Sequence, residues 1–493
     1  MSQDRDSLLE NDIAPSTSTD YFDTIESIHP VQSSNVDEIS PPAKLPQIWP
    51  AFTASLSALS AGMVLGWTSP ILDYLTSGKY NDIPIDKNQM GWIGSFATLG
   101  AMAMCIPTGF ICDLIGRKYG LLLLMVPFIG GWSLIIWASN ILALYFGRLI
   151  TGMAVGACCV GTPLYNGEIA HHSIRGAVGS FFQLMIVTGI FLAYVFGEYL
   201  SPEKFTKLCA FVPFIFLLLF AFQPESPSFL IKKGEYEAAK KSLSKLRGTG
   251  YDVETEFKYI EGCLKESSQT MTSLCNTFTQ RPIIKAVIIS FALMFFQQFS
   301  GINVVILYSS DIFKSTGINL NANVATIIVG SVQVLATLSA SLIIEKTGRK
   351  QLIFISLSAV AINTAILAIY FSVKIRGHSS SEVLKDIGFI PIGAVCLFVV
   401  AFSLGLGPIP WMICSELLPT EVRSMVGSAA GTFNWFLAFI MTKCYLSFSN
   451  IIGYDSVFYI FTAVSVAGAI FVVIMLPETK GKNISQVQEE LSR

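Results

Sequence analysis

The chain has 493 residues, 52% of them hydrophobic and 13% charged, with a formal net charge of −2 and a mean hydropathy of +0.59. Soluble domains carry charge on roughly a quarter of their residues, so composition excludes an ordinary water-soluble protein, and a near-neutral balance without basic runs gives no footing for nucleic acid. Four histidines in predicted loops or the tail, and ten cysteines with no CxxC pair or paired spacing, leave no metal site, disulfide framework or cofactor; no nucleophile–base set or phosphate loop points to an enzyme.

Residues 1–45 lack the basic-then-apolar pattern of a signal peptide. They are rich in Ser, Thr, Pro, Asp and Glu, which predicts a disordered tail. Within it DRDSLLE, with Asp4, Leu8 and Leu9, fits an acidic dileucine sorting signal. From there apolar runs of about 20 residues recur, each long enough to cross the roughly 30 Å hydrocarbon layer. Twelve are predicted, centred near residues 58, 101, 129, 154, 187, 215, 298, 334, 361, 401, 436 and 466. Six fall in 46–225 and six in 283–477. Between them 226–282, with IKKGEYEAAKKSLSKLRG near its start, is charged and periodic, which predicts short amphipathic helices. A short tail, 478–493, closes the chain.

Lysine and arginine sort the loops. Arg117, Lys118, Arg175, the 226–282 segment, Lys346, Arg349, Lys350 and Arg423 fall on one side, and the alternate loops carry fewer. The basic side is expected to be cytoplasmic, with both termini on it. The one proline-free sequon, Asn483-Ile484-Ser485, then also lies there, so no N-glycan is expected.

The two sets of six repeat each other. DLIGRK (113–118) answers EKTGRK (345–350), GEIAHHSIR (167–175) answers SELLPTEVR (415–423), and PES (224–226) answers PET (477–479). Three matches in order indicate a duplicated bundle, the architecture in which a site between repeats serves alternating access. The charges in these motifs, Asp113, Arg117, Glu168, Arg175 and Glu225 against Glu345, Arg349, Glu416, Arg423 and Glu478, are expected to pair across the cytoplasmic ends of the halves. Partly exposed pairs contribute ~0.2–1 kcal/mol each, which suits a gate that opens repeatedly.

Inside the spans the polar residues are few. MFFQQFSGINVVILYS (294–309) places Gln297, Gln298 and Asn303 around Gly301, which can bend or unwind the helix. Gln183, Gln333 and Asn434 are further interior amides, and GLGPIPWMICSE (405–416) adds Trp411 on a span broken by Pro408 and Pro410. Side-chain amides both donate and accept, and an indole stacks while its N–H donates; together they suit a neutral, polyhydroxylated molecule such as a sugar. The alternative, that the amides tie helices together at about 0.6 kcal/mol per contact, stays open. Arg148, flanked by Gly147, Gly152 and Gly156, needs a partner or a wet cavity at its depth, and a structural or a functional role would satisfy that.

From about 50 to 485 the chain resembles the sugar porter branch of the major facilitator superfamily, on the Gly-Arg-Lys turns, PLYNGEIA followed by RG, PESPSFL, QQFSGIN, GPIPW and PETKG. FSLGLGPIPW and TFNWFLAFIMTK are most similar to insect facilitated trehalose transporters and class III facilitated glucose transporters. The resemblance implies an all-α membrane protein, twelve transmembrane helices in two pseudo-symmetric six-helix halves with a cytoplasmic helical linker, working as a monomer. It implies sugar contacts at Gln183, Gln297, Gln298, Asn303, Trp411 and Asn434, and an outer gate at Tyr308. Four positions depart from the family pattern: Leu307 replaces the first of two tyrosines, Gln333 a frequent Asn, Ala438 an Asn of some glucose carriers and Ser228 the usual Arg. Thr68, in GWTSP, stands where proton-coupled members carry Asp. Facilitated diffusion of hexose or trehalose at the plasma membrane is therefore the leading expectation. Proton-coupled symport, a non-transporting sugar receptor and a vesicular location are the alternatives.

Overall fold

The computed structural model describes residues 41–269, 278, 280–316, 321–344, 347–375, 388–482 and 484–492. Asp4, Leu8, Leu9, Glu345 and Asn483 lie outside the described residues. The regular structure of the described residues is helical. Span 1 runs Leu45–Gly66 and continues as Thr68–Thr76; span 2 is Lys87–Ile115; span 3 is Arg117–Leu123 with Met125–Ile136; spans 4, 5 and 6 are Ile141–Ile169, Arg175–Tyr199 and Pro202–Phe220. Span 7 is Arg281–Phe299 with Ile302–Thr316, span 8 Ala322–Ile343, span 9 Arg349–Ile375, span 10 Ile390–Ala401 through Ile409–Glu416, span 11 Thr420–Ile451 and span 12 Tyr454–Met475.

Eleven of these helices are long and apolar enough to cross a membrane by length and composition, so this is a multi-pass membrane protein. Span 6 falls short of that measure because Glu203, Lys204 and Lys207 occupy its first two turns. Its 19 residues still extend about 28 Å at 1.5 Å per residue, and its buried face, Phe205, Cys209, Phe216 and Phe220, packs into the bundle. Close approach of spans 2 and 4 rests on glycine, since Gly152 and Gly156 lie against the backbone of Ala97 and Ala101.

Between the halves, Pro227–Lys232, Tyr236–Arg247 and Val253–Gln269 form three short helices around a small core of Phe229, Leu230, Ile231, Ala239, Leu243 and Phe257. They sit at one end of the bundle, hereafter the linker face; the opposite end is the far face. Arg247, 2% exposed, pins them there. Its Nη1 donates to the Ile169 carbonyl at the end of span 4 at 2.9 Å, and its Nε and Nη2 meet Glu256 at 2.8 and 2.6 Å. The halves meet where span 1 packs on span 7, span 2 on span 11 and span 5 on span 8.

Candidate functional site

Two helix breaks face each other in the second half. Span 7 breaks at Gly301, whose φ of +92° lies in the region that only glycine enters without strain. Span 10 breaks through a π-helical turn over Phe402–Leu406, where the Gly407 N–H reaches back to the Phe402 carbonyl at 2.8 Å. Pro410 has no N–H to offer the Leu406 carbonyl four residues earlier. Gln297 supplies it: its Nε2 donates to both the Leu406 and Gly407 carbonyls at 2.8 Å. Ser356 of span 9 holds the same turn, donating to the Ala401 carbonyl at 2.7 Å and accepting from the Leu406 N–H at 2.9 Å.

From Gln297 a chain of amides runs back across the break in span 7. Asn434 Nδ2 donates to Gln297 Oε1 at 2.7 Å, Gln298 Nε2 donates to Asn434 Oδ1 at 2.7 Å, and Asn303 Nδ2 donates to Gln298 Oε1 at 2.6 Å. All four residues are at least 92% buried. The amides of the 294–309 stretch therefore tie helices together in this conformation, and they do so around two broken helices, where a straight bundle would have needed none of them.

Gln333 is buried on span 8 and Gln183 half-buried on span 5; neither joins the amide chain. Trp411 is 42% exposed, with its ring 3.4 Å from where a Cβ on Gly431 would stand. Gly431 is one turn before Asn434 on span 11, so the indole sits a turn from the amide chain. Tyr308 is fully buried at a second kink in span 7 (φ −123°, ψ 20°). Its hydroxyl donates to the Thr442 carbonyl of span 11 at 3.0 Å, against Gly94 of span 2.

Arg148 has no exposed surface and is met by neutral groups. Its Nη1 donates to the Val64 carbonyl at 2.8 Å, its Nε to the Ile93 carbonyl at 3.2 Å and its Nη2 to Thr68 Oγ1 at 3.2 Å. The guanidinium also lies 5.2 Å from the Trp67 ring centroid. Thr68, singled out in the sequence as the place of a missing carboxylate, is thus the residue that faces this arginine.

The charged motifs correct one expectation: the pairs seen among the described residues close within each half, not across the halves. In the first half Glu225 accepts from the N–H groups of Arg117, Lys118 and Ser226 at 2.8–3.1 Å, capping the start of span 3. Arg117 forks onto Glu168 at 2.9–3.0 Å and reaches Asp113 at 3.0 Å, and the Ser226 hydroxyl donates to Glu168. Burial pushes the Glu225 carboxyl above its ordinary range, against the amides and Arg117, which pull it down. In the second half Glu478 accepts from Arg349, Lys350 and Thr479 N–H at 2.9–3.2 Å, Arg349 stands 3.4 Å from Glu416, and the Thr479 hydroxyl donates to Glu416. The repeat thus extends to individual hydrogen bonds. The physical reason for within-half closure is that each Glu of PES or PET caps a neighbouring helix of its own bundle, which fixes the adjacent arginine. Arg175 is exposed and outside the cluster, and Arg423 donates to the Leu418 carbonyl at 3.2 Å.

Bonds that do cross between the halves gather at the far face. Tyr194 donates to the Ile306 carbonyl at 2.7 Å, the Ser310 N–H to Ser69 at 3.3 Å, and Lys443 to Asn88 at 2.8 Å. Asn321 and Asn323 donate to Glu198 at 2.9 and 2.7 Å, and Lys314 pairs with Asp73. The far face is shut. Sequence reasoning missed Tyr194, Glu198 and Ser356; Glu198 ends an apolar span and reads as a boundary charge, while the other two read as isolated polar residues without a motif.

Over residues 34–491 the sequence matches the family described as sugar (and other) transporter. It is 35% identical to a facilitated trehalose transporter Tret1-2 homolog of Drosophila simulans over 446 residues, 90% of this chain and 91% of that one. It is 34% identical to a facilitated trehalose transporter Tret1 of Bombyx mori, covering 90% of this chain and 87% of that one. Its fold is similar to the inward open conformation of the xylose transporter XylE from E. coli, with a TM-score of 0.72 and 21% identity over 89% of this chain and 98% of that one.

Proposed function

The chain belongs to the sugar (and other) transporter family, and on that footing we propose that it is a facilitative carrier of hexose, trehalose or both, working by alternating access. The observation that carries the reading is the neutrality of the interior. Four linked amides occupy the facing helix breaks, and Arg148, a buried charge inside the first half, is met by two carbonyls and Thr68. Neutral amides match hydroxyl groups. A proton carrier needs a group that titrates in the cavity, and Thr68 does not titrate.

In this reading the linker face is cytoplasmic, by the excess of basic residues there, and the protein lies in the plasma membrane as a monomer. The conformation described is then inward-facing, since Tyr308 and the cross-half bonds shut the outer side. Gln298 and Asn303 hold the sugar, with Gln183, Gln333, Asn434 and Trp411 completing the site from neighbouring spans. The charge clusters keep each six-helix half rigid at its cytoplasmic end while the halves rock.

The test is uptake of labelled glucose and labelled trehalose into proteoliposomes, with and without an inward proton gradient. Uptake that stops at equilibrium and ignores the gradient is expected, with the preferred label naming the sugar. Accumulation above equilibrium driven by the gradient would defeat the uniport reading.

A further inference from the structure

Tyr308, proposed above as the outer gate, is preceded by Leu307, where the resemblance implies a second tyrosine. In the folded protein a second ring arrives from another helix. Tyr445 of span 11 stacks on Tyr308 with 5.4 Å between centroids and 25° between planes. It lies three residues beyond Thr442, whose carbonyl takes the Tyr308 hydroxyl, so at about 1.5 Å per residue it is nearly one turn closer to the far face. Its own hydroxyl is placed differently. Tyr445 is 2% exposed, and its hydroxyl has no hydrogen-bond partner among the described residues. Tyr454 stands edge-on at 6.3 Å between centroids, but its hydroxyl is engaged with Asp311 at 3.0 Å. A phenylalanine would stack equally well and leave no polar group unsatisfied, so the hydroxyl is a cost in the shut gate.

We infer that Tyr445 is the second ring of the outer gate and that its hydroxyl favours the open gate, where water or a sugar hydroxyl in the vestibule becomes its partner. The inference rests on the transport reading above and adds to it a residue that sets the balance between shut and open. Leu307 provides a reporter. It has no exposed surface, and its Cδ2 packs against Gly94 of the other half, so a cysteine there is reached only when the far face opens. In nanodiscs, the alkylation rate of a Leu307→Cys protein by a maleimide, read at that peptide by mass spectrometry, follows the open fraction. Adding Tyr445→Phe should slow labelling about tenfold, equivalent to 1.4 kcal/mol, and adding Tyr445→Leu, which removes the ring, should speed it. Unchanged or faster labelling in the Phe variant would overturn the inference, as would slower labelling in the Leu variant. Uptake of labelled glucose and trehalose by the same reporter protein keeps the two ideas apart: no uptake of either sugar defeats the transport reading, whatever the Phe variant does.

Discussion

Counting donors and acceptors separates residues that sequence alone treats alike. Gln297 has both N–H groups on carbonyls of span 10 and one oxygen lone pair on Asn434. Gln298 keeps one N–H and one lone pair, and Asn303 one N–H and both lone pairs of its oxygen. Gln298→Ala should therefore weaken sugar binding roughly 3- to 10-fold, the worth of one or two neutral hydrogen bonds, and lower the melting temperature moderately, because it leaves the Asn434 oxygen and the Asn303 N–H without their partner. Gln297→Ala should lower the melting temperature more, because it orphans the Leu406 carbonyl and the Asn434 amide at ~1–3 kcal/mol each. Titrating sugar against the purified variants while recording thermal melts checks both; equal behaviour of the two would refute the division of labour. Arg148 and Thr68 bear on pH. With no carboxylate among the groups that hold the arginine, wild-type transport should stay flat over about pH 5 to 8, the interval in which an ordinary histidine is the side chain that titrates. Initial uptake rates across that interval provide the check.

At the scale of elements the two charge clusters are the same device built to different tolerances. Arg117 is 7% exposed and forks onto Glu168, whereas the Arg349 side chain is 16% exposed with a single 3.4 Å approach to Glu416. Removing one partner of a buried pair leaves an uncompensated charge, worth up to ~3–5 kcal/mol, so Glu168→Gln should be the more damaging change and Glu416→Gln the milder. Limited trypsin digestion at the linker face, compared for the two variants, should show earlier cleavage in the first; the reverse order would contradict the geometry. The spans themselves are legible in the sequence because apolar length is a direct requirement of the bilayer, and the duplication is legible because the same helix-capping task recurs in each half. Partner choice is not legible in the same way. That Glu225 caps Arg117 and Lys118 depends on where two helix ends meet, and Gly116 before them takes a φ of +102°, a backbone conformation that a side chain strains, with that carboxylate standing where its Cβ would be. Arg247 looks like a solvent charge on an amphipathic helix until the linker docks and buries it. Neutral amides announce a neutral site, but their hydrogen bonds to the π-turn of span 10 follow from a break whose extent the two prolines alone do not reveal.

For the whole molecule, the question is how firmly the far face is shut. The bonds crossing there differ in kind. The Asp73 and Lys314 side chains are 63% and 40% exposed, and such a pair contributes only ~0.2–1 kcal/mol. Glu198 is different: one carboxylate receives amide donors from both Asn321 and Asn323, and hydrogen bonds to a charged acceptor are worth about 1.5–3 kcal/mol when protected from water. The Asn321 contact is solvent-exposed and the Asn323 contact partly buried, so the second carries most of the effect. Glu198→Ala should accordingly raise the population open at the far face roughly tenfold, as a loss near 1.4 kcal/mol requires, while Lys314→Ala should raise it less than about fivefold. Distances between spin labels at the far ends of spans 5 and 8 measure that population directly. A larger opening in the Lys314 variant than in the Glu198 variant would mean that long-range charge, not the amide–carboxylate latch, holds the halves together on that side. The latch also has a consequence for turnover. If return of the empty carrier limits the cycle, weakening the far-face closure should speed net uptake from that side, so the Glu198 variant should gain rate where most substitutions lose it.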